Sequence, residues 1–249
     1  MNTAYKNISD TNTAFGNLFG SCMENGVITN YDKLYNQSLN LYDELDELRD
    51  DGFKLLKEGP EKQKEGRIGM VDAIGDLIVF LYGVPHFLGY KYLEKESSPE
   101  LKDVLIGYDK DVFYENVYDD IKAIINELIK TINDKRNYKA IMQAVQELDI
   151  YLATLCSLYS VDRTVLIHKI TESNMSKLCS NETEVNQTLK FYRDKGVVVH
   201  DGPSPLKQAD GSPYQVVYSS IDQNVGGKDY RANKFLKCVN WVEPDLSTI

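Results

Sequence analysis

Two aspartates, Asp72 and Asp76, interrupt an otherwise apolar, helix-length run that extends from Ile68 to Leu93. On a helix these carboxylates stand one turn apart on a single stripe, while nearly every other direction is apolar. A buried carboxylate requires hydrogen bonds, a paired cation or a bound metal. Because no Lys or Arg occurs between Ile68 and Tyr90, the pattern favours a metal.

A second acidic pair, Glu44 and Glu47, lies one predicted helix upstream, on the flank of a leucine stripe. Their i, i+3 spacing lets both reach one site. A short polar loop over residues 57–67 predicts that the two helices are antiparallel, which would set this pair opposite Asp72 and Asp76. Four facing carboxylates repel one another unless divalent cations neutralise them, and all-oxygen ligands select Mg²⁺ or Mn²⁺.

Each acidic pair also has a purely structural interpretation. Glu44 and Glu47 are what a solvated helix face would show. Asp72 or Asp76 could cap the backbone or pair with Arg67.

The acidic pattern resembles the all-α nucleoside triphosphate pyrophosphohydrolases, a superfamily with MazG-like and phosphoribosyl-ATP pyrophosphohydrolase-like members, some of them phage-type. Glu-x-x-Glu, a loop and VDAIGDLIVFLYG (71–83) carry the resemblance, together with TAFGNLFG (13–20), ESNMSK (172–177) and KCVNWVEPDL (237–246). The superfamily pattern has Glu three residues before the last Asp; here that position is Ala73, and Asp72 lies four before.

The resemblance implies hydrolysis of a nucleoside triphosphate, such as a dNTP or a modified nucleotide, to the monophosphate and pyrophosphate. It implies Mg²⁺ or Mn²⁺ held by the four carboxylates, Glu44 and Glu47 in catalysis, and a homo-oligomer. It assigns Asn174 and Lys177 to the nucleotide, although both also fit a helix end, and it lets Trp241 stack on a base, although core packing is equally open. Basic residues of the first loop region, including Lys54 and Arg67, are candidates for the leaving pyrophosphate.

Composition places limits on the function. A net charge of −10 argues against nucleic-acid binding, and the two central aspartates argue against a membrane span at 68–93. No signal peptide is expected, and four scattered cysteines fit reduced thiols in a cytoplasmic protein, bacterial or in a phage-infected cell.

The expected fold is mainly α, with a helical catalytic domain over 1–180 and a loop and hairpin extension over 181–249. Helices are predicted at 1–20, 30–56, 67–93, 113–134, 137–160 and 162–179, with a polar connector at 94–111 and short strands from about 185. Residues 141–162 are similar in spacing to the 68–93 run, so a degenerate repeat is one interpretation, in which Asp149 corresponds to Asp76 and Glu127 to Glu47. The other is that any two buried amphipathic helices look alike.

Three functional hypotheses follow from the sequence. The first is the Mg²⁺-dependent pyrophosphohydrolase. The second is a protein on the same fold that binds a nucleotide without turning it over, favoured by Ala73 and the large tail. The third is a helical interaction module whose acids only solvate a surface, and burial of Asp72 and Asp76 would argue against it.

Overall fold

The computed structural model describes residues 22–24, 27–89, 96–109 and 112–249. The chain divides into two compact units. The helical unit includes the described residues up to Ile170 together with Asp245–Ile249, and the sheet-containing unit is Thr171–Pro244. The predicted opening helix over residues 1–20 lies outside the described residues.

The helical unit begins with β1 (Met23–Glu24) and β2 (Val27–Ile28), which pair antiparallel. The helices that follow are α1 (Tyr31–Glu47), a π-helical segment (Leu48–Phe53), α2 (Lys54–Lys57), α3 (Gln63–Phe87), α4 (Pro99–Ile106), α5 (Phe113–Asn133), α6 (Tyr138–Leu158) and α7 (Arg163–Met175). The boundary between the units falls within α7, after Ile170. Helix α1 packs against α3 and α5, and α6 packs against the same two helices. Two hairpins, α1–α3 and α5–α6, therefore enclose one core.

The leucine stripe of α1 is fully buried in that core, as the helical periodicity of the sequence predicts. Asn30 starts α1 by accepting a hydrogen bond from the amide of Lys33 at 2.9 Å. Asn137 caps α6 in the same way. The mainly α fold with a short strand tail is confirmed.

Helix α3 is long and apolar enough to cross a membrane, but 72% of its apolar window is buried inside the protein. That degree of burial is what a core helix of a soluble protein shows. The helix continues through Pro85 and ends at Phe87. The predicted loop before it is shorter than expected, because Lys57 still belongs to α2 and the helix restarts at Gln63.

The sheet-containing unit holds α8 (Glu182–Asp194) and the strands β3 (Val199–Lys207), β4 (Pro213–Ser219), β5 (Gln223–Val225), β6 (Lys228–Tyr230) and β7 (Phe235–Leu236). An antiparallel sheet has the strand order β3–β4–β7, and β5 pairs with β6 in a separate hairpin. Helix α8 packs on β3 and β4. The apolar residues of α8 share one core with those of the sheet. This core contains Val185, Leu189 and Tyr192 from the helix and Val199, Val217 and Leu236 from the strands.

Two local predictions were wrong. The segment after residue 185 begins as a helix, α8, and the predicted polar connector at 94–111 contains α4. Both helices carry start signals. Ser98 accepts a hydrogen bond from the amide of Leu101 at 3.2 Å ahead of Pro99, and Asn181 accepts one from Glu184 at 3.0 Å.

Candidate functional site

Close backbone contact joins α3 to the π-helical segment and α2. A Cβ atom built on Gly52 would lie 2.9 Å from the Cα atom of Met70, and one on Gly66 would lie 2.7 Å from the amide nitrogen of Leu56. At Gly69 a Cβ atom would overlap the carbonyl of Asp51. Side chains larger than hydrogen at these glycines would push the helices apart, so the glycines fix the antiparallel register.

That register brings the two acidic turns to one level along the helix pair. At one end of the helix pair, Gly69 lies against the carbonyl of Asp51. At the other end, Gln37 Nε2 donates a hydrogen bond to the carbonyl of Phe80 at 2.8 Å. Between these two anchors, Asp72 and Asp76 on α3 stand level with the turn of α1 that contains Glu44 and Glu47. The predicted antiparallel pairing is present in the structure.

The four carboxylates lie at the rim of the core. Glu44, Asp72 and Asp76 are half-buried and Glu47 is exposed. Each of the four has a hydrogen-bonding or electrostatic partner. Over the described ranges, no three His, Cys, Asp or Glu side chains stand close enough to share one metal ion. The structure therefore aligns the two acidic backbone turns without gathering their carboxylates into a ligand cluster.

A divalent cation can still be tested against the donor set that this alignment offers. Four carboxylates on two adjacent helix turns provide only oxygen donors, which is the chemistry that Mg²⁺ and Mn²⁺ require. Aspartate at position 72 reaches less far than the Glu of the superfamily pattern, and Ala73 is itself buried. The donor chemistry and the backbone register fit a hard cation, and rotation of the side chains would have to complete the site.

A π-helical segment begins directly after Glu47. Such segments insert one residue into a helical turn and are frequent at functional sites. On its surface, Arg49 forms ion pairs with Asp46 at 3.0 Å and Asp50 at 3.0 Å. The hydrogen bond from Arg49 holds the pKa of the Asp50 carboxyl below its usual range, and the same bond raises the pKa of Arg49.

The two basic residues predicted to meet the leaving pyrophosphate have different surroundings. Lys54 is exposed at the start of α2 and lines a groove of about 290 Å³, together with Phe53 and Tyr114. Arg67 is half-buried and donates hydrogen bonds to the carbonyl of Tyr159 at 3.2 Å and to that of Ile249 at 3.0 Å. Of the two, Lys54 is the more exposed.

The remaining predicted substrate-binding residues all belong to the sheet-containing unit. Asn174 is buried and accepts a hydrogen bond from the half-buried Lys177. Trp241 Nε1 donates to Ser173 Oγ at 3.2 Å, and the ammonium of Lys237 lies 3.3 Å from the centroid of the indole ring. The 172–177 segment and residues 237–244 are thus in contact within this unit, although they are far apart in sequence.

A buried ion pair in the second hairpin was missed by sequence reasoning. Asp149 on α6 is fully buried and is paired with Arg163, whose side chain is only 12% exposed. Tyr82 on α3 donates a hydrogen bond to Asp149 at 2.8 Å and accepts one from Arg163 at 2.6 Å. In the repeat interpretation Asp149 corresponds to Asp76, and here an arginine supplies the positive charge next to the buried carboxylate. The sequence signal was Arg163, which lies just beyond α6.

Glu127, which corresponds to Glu47 in the repeat interpretation, is exposed on α5. It forms long ion pairs with Lys130 at 4.0 Å and Arg136 at 3.8 Å. In this hairpin the two acidic positions are therefore neutralised by protein cations.

Comparison with known proteins gives one viral relative. The chain is 26% identical over 137 residues to an uncharacterized protein of Acanthamoeba polyphaga mimivirus. The alignment covers 50% of this chain and 54% of the viral protein, so the chain spans about half the length of the curated relative it matches. No family model matches the chain. No solved structure matches it either.

Proposed function

We propose that this chain is a Mg²⁺-dependent nucleoside triphosphate pyrophosphohydrolase. The observation that carries the proposal is the antiparallel register of α1 and α3, which sets the turn of Glu44 and Glu47 level with Asp72 and Asp76. Glycine contacts to the π-helical segment that continues α1 fix it at one end, and the Gln37–Phe80 hydrogen bond fixes it at the other. A triphosphate carries several negative charges, so an acidic site can accept it only with cations between the two. The substrate is a (d)NTP, ordinary or modified, and the products are the nucleoside monophosphate and pyrophosphate.

The proposal gives the carboxylates two roles, which are to bind the cation and to accept a proton from the attacking water. Glu44, Glu47, Asp72 and Asp76 would hold Mg²⁺, or Mn²⁺ in its place. When bound, the cation would supply positive charge for the phosphates and lower the pKa of a bound water. Glu44 or Glu47 accepts the proton of the water that attacks the α-phosphorus in line, and pyrophosphate leaves.

The groups that bind the rest of the substrate are assigned by the resemblance. Asn174 and Lys177 contact the nucleotide or its phosphates, and Trp241 stacks on the base. Lys54 and Arg67 stabilise the leaving pyrophosphate. The exposure of Lys54 supports its part, whereas Arg67 would have to exchange its present carbonyl partners for phosphate.

The setting of this activity is part of the same proposal. We place the protein in the cytoplasm, bacterial or of a phage-infected host, as a homo-oligomer that binds neither nucleic acid nor a membrane. The net charge of −10 supports the exclusion of nucleic acid. Sedimentation velocity measures the oligomeric state directly.

A second candidate function is nucleotide binding without turnover. Buried Ala73 stands where the superfamily pattern has a ligating Glu, and this supports a weakened site. A sponge or regulatory protein would need the fold and the cation, but not the positioned water.

Product analysis with each NTP and dNTP, with Mg²⁺, Mn²⁺ or EDTA, tests the proposal. We expect monophosphate and pyrophosphate in equal amounts, loss of both with EDTA, and a loss of at least about 100-fold in turnover for Glu47→Gln and Asp76→Asn. Glu127→Gln is the matched control, since it removes an exposed acid at the corresponding place in the second hairpin and should leave turnover unchanged.

The outcome separates the two candidates. No product from any nucleotide, together with a Mg²⁺-dependent rise in melting temperature when nucleotide is added, would replace the enzyme with the binding protein. Equal turnover in Glu47→Gln, Asp76→Asn and wild type would remove the carboxylate site from both.

A further inference from the structure

Two cysteines from distant parts of the chain face each other in the core of the sheet-containing unit. The Sγ atoms of Cys179 and Cys238 lie 2.9 Å apart, and the residues are 0% and 3% exposed. Both are free thiols. A disulfide has an S–S distance near 2.05 Å, so bonding requires the sulfurs to approach by about 1 Å.

The backbone around both sulfurs is held in place. Cys179 and Gln215 exchange two backbone hydrogen bonds, at 2.8 and 2.9 Å, and the carbonyl of Cys238 accepts one from Trp241 at 2.9 Å. The Thr188 hydroxyl lies 3.6 Å from one sulfur and 3.5 Å from the other. Closing the bond therefore needs a small side-chain rotation rather than a backbone rearrangement.

The two thiols differ in reactivity. The Cys179 thiol donates a hydrogen bond to Cys238, which lowers the pKa of Cys238 below that of a free thiol. This favours the thiolate, which is the nucleophilic form of cysteine. Cys238 itself is 3% exposed, but its neighbours Lys237 and Val239 are exposed, so its backbone lies at the surface of the unit. Cys156 is a contrast, since burial raises its pKa to about 11.

We propose that Cys179 and Cys238 form a reversible intramolecular disulfide when the protein meets a hydroperoxide. The Cys238 thiolate attacks one peroxide oxygen, the O–O bond breaks, and the leaving oxyanion takes a proton from the solvent to become an alcohol, or water when the oxidant is hydrogen peroxide. Cys238 is then a sulfenic acid. The sulfur of Cys179 attacks the sulfenic sulfur, and water leaves with the Cys179 proton. Two electrons pass from the sulfurs to the peroxide, and a small dithiol returns them.

The disulfide would add a covalent link between two segments that already meet through noncovalent contacts. Cys179 follows the 172–177 segment, and Cys238 lies on the segment that carries Trp241. Hydrogen bonds from Ser173 to the carbonyl of Val242 at 2.8 Å and from the Val242 amide to Ser176 at 2.9 Å already join them. Because Trp241 is the single tryptophan of the chain, its fluorescence reports on this junction.

The test treats the folded 249-residue protein with hydrogen peroxide, alkylates the remaining thiols and maps the peptides by mass spectrometry. We expect one linked peptide pair, Cys179 with Cys238, lighter by two hydrogen atoms and separated by a dithiol. Its formation should raise the melting temperature by several degrees. Cys179→Ser should stop at a sulfenic acid on Cys238 that dimedone traps, while Cys156→Ser, the control, should form the disulfide as wild type does.

Wild-type peptide mapping decides the matter even if a serine variant fails to fold. Full alkylation of Cys179 and Cys238 after peroxide, in protein that keeps its circular dichroism, would overturn the proposal. So would a Cys179–Cys238 link that appears only in denaturant, or oxidation that falls first on Cys22 or Cys156.

Discussion

At the residue scale, the buried pair of Asp149 and Arg163 shows how a carboxylate is accommodated in this core without a metal. Removing one partner leaves the other charged in a place that water does not reach. We expect Arg163→Met to lower the free energy of unfolding by about 3–5 kcal/mol. Urea denaturation followed by circular dichroism measures the change.

Glu127→Gln is the exposed counterpart of this variant. Its ion pairs are long and solvated, so we expect it to change the free energy of unfolding by less than about 0.5 kcal/mol. A similar small effect for Arg163→Met would mean that the Asp149 carboxylate finds another partner.

Asp120 offers a second residue-scale prediction, which concerns pH. Its carboxylate accepts hydrogen bonds from Tyr108 at 2.6 Å and Tyr151 at 2.9 Å, and the first raises the pKa of Tyr108 to about 12. The unfolded phenol ionises near 10. The stability that Tyr108 contributes is therefore complete below pH 10 and is lost as the pH rises through 12. Tyr108→Phe should remove a phenolate absorbance step near pH 12, and loss of a step near pH 10 instead would contradict this.

At the element scale, the glycines of α3 set the distance between the two helices that carry the acidic turns. Gly to Ala in a helix ordinarily stabilises by about 0.5–1 kcal/mol, because alanine loses less backbone entropy. At Gly69 we expect the opposite sign, a loss of about 1–3 kcal/mol, since the new methyl group would overlap the carbonyl of Asp51. Thermal unfolding measures it.

The control for Gly69→Ala is Asn186→Ala, an exposed position on α8 where alanine has space. It should be neutral or slightly stabilising. If Gly69→Ala also stabilises, the helices have room to separate, and the register argument for the acidic turns loses its main support.

Helical periodicity predicted much of this architecture. The apolar stripe of α1 and the long apolar run of α3 predicted the positions of these helices, because burial of such faces leaves few alternatives. The short loop between them predicted their antiparallel pairing. The π-helical segment could not be predicted, because hydrophobic periodicity does not mark an inserted residue; in the structure it contains Gly52, which lies against Met70 of α3. Helix α8 was missed because polar residues outnumber Val185, Leu189 and Tyr192, although the spacing of these three is helical.

The candidate site was predictable only in part. Spacing put Glu44 with Glu47 and Asp72 with Asp76, and the hairpin made the two pairs level. The directions of the carboxylates depend on rotamers and partners that spacing does not encode. The pairing of Arg163 with Asp149 was likewise not predictable from spacing, because Arg163 lies beyond the end of α6, on the next helix.

At the scale of the whole molecule, the net charge is −10, so divalent cations should change the melting temperature through general charge screening. Binding at a specific site should raise it further. If the acidic turns bind Mg²⁺, the melting temperature should rise by roughly 5–10 °C at a Mg²⁺ concentration about one hundred times its Kd. Differential scanning calorimetry at matched ionic strength, with NaCl in place of Mg²⁺, removes the screening contribution.

The double variant Glu47→Gln, Asp76→Asn should lose this response, and Glu127→Gln should keep it. An equal rise in all three proteins would assign the effect to general charge screening. That result would leave the carboxylates without a cation-binding role.

The two helical hairpins differ in where their positive charge comes from. Next to the α5–α6 hairpin the positive charge belongs to Arg163, which is part of the chain. Arg163 therefore opposes local opening of this hairpin under all ionic conditions. In the α1–α3 hairpin, by the proposed function, the positive charge is a Mg²⁺ ion bound from solution. The two hairpins would then behave as separate cooperative units in amide hydrogen exchange, one with a fixed opening free energy and one that tracks the free Mg²⁺ concentration. The stability of the α1–α3 half of the core would then depend on the free Mg²⁺ concentration, whereas the stability of the α5–α6 half would not.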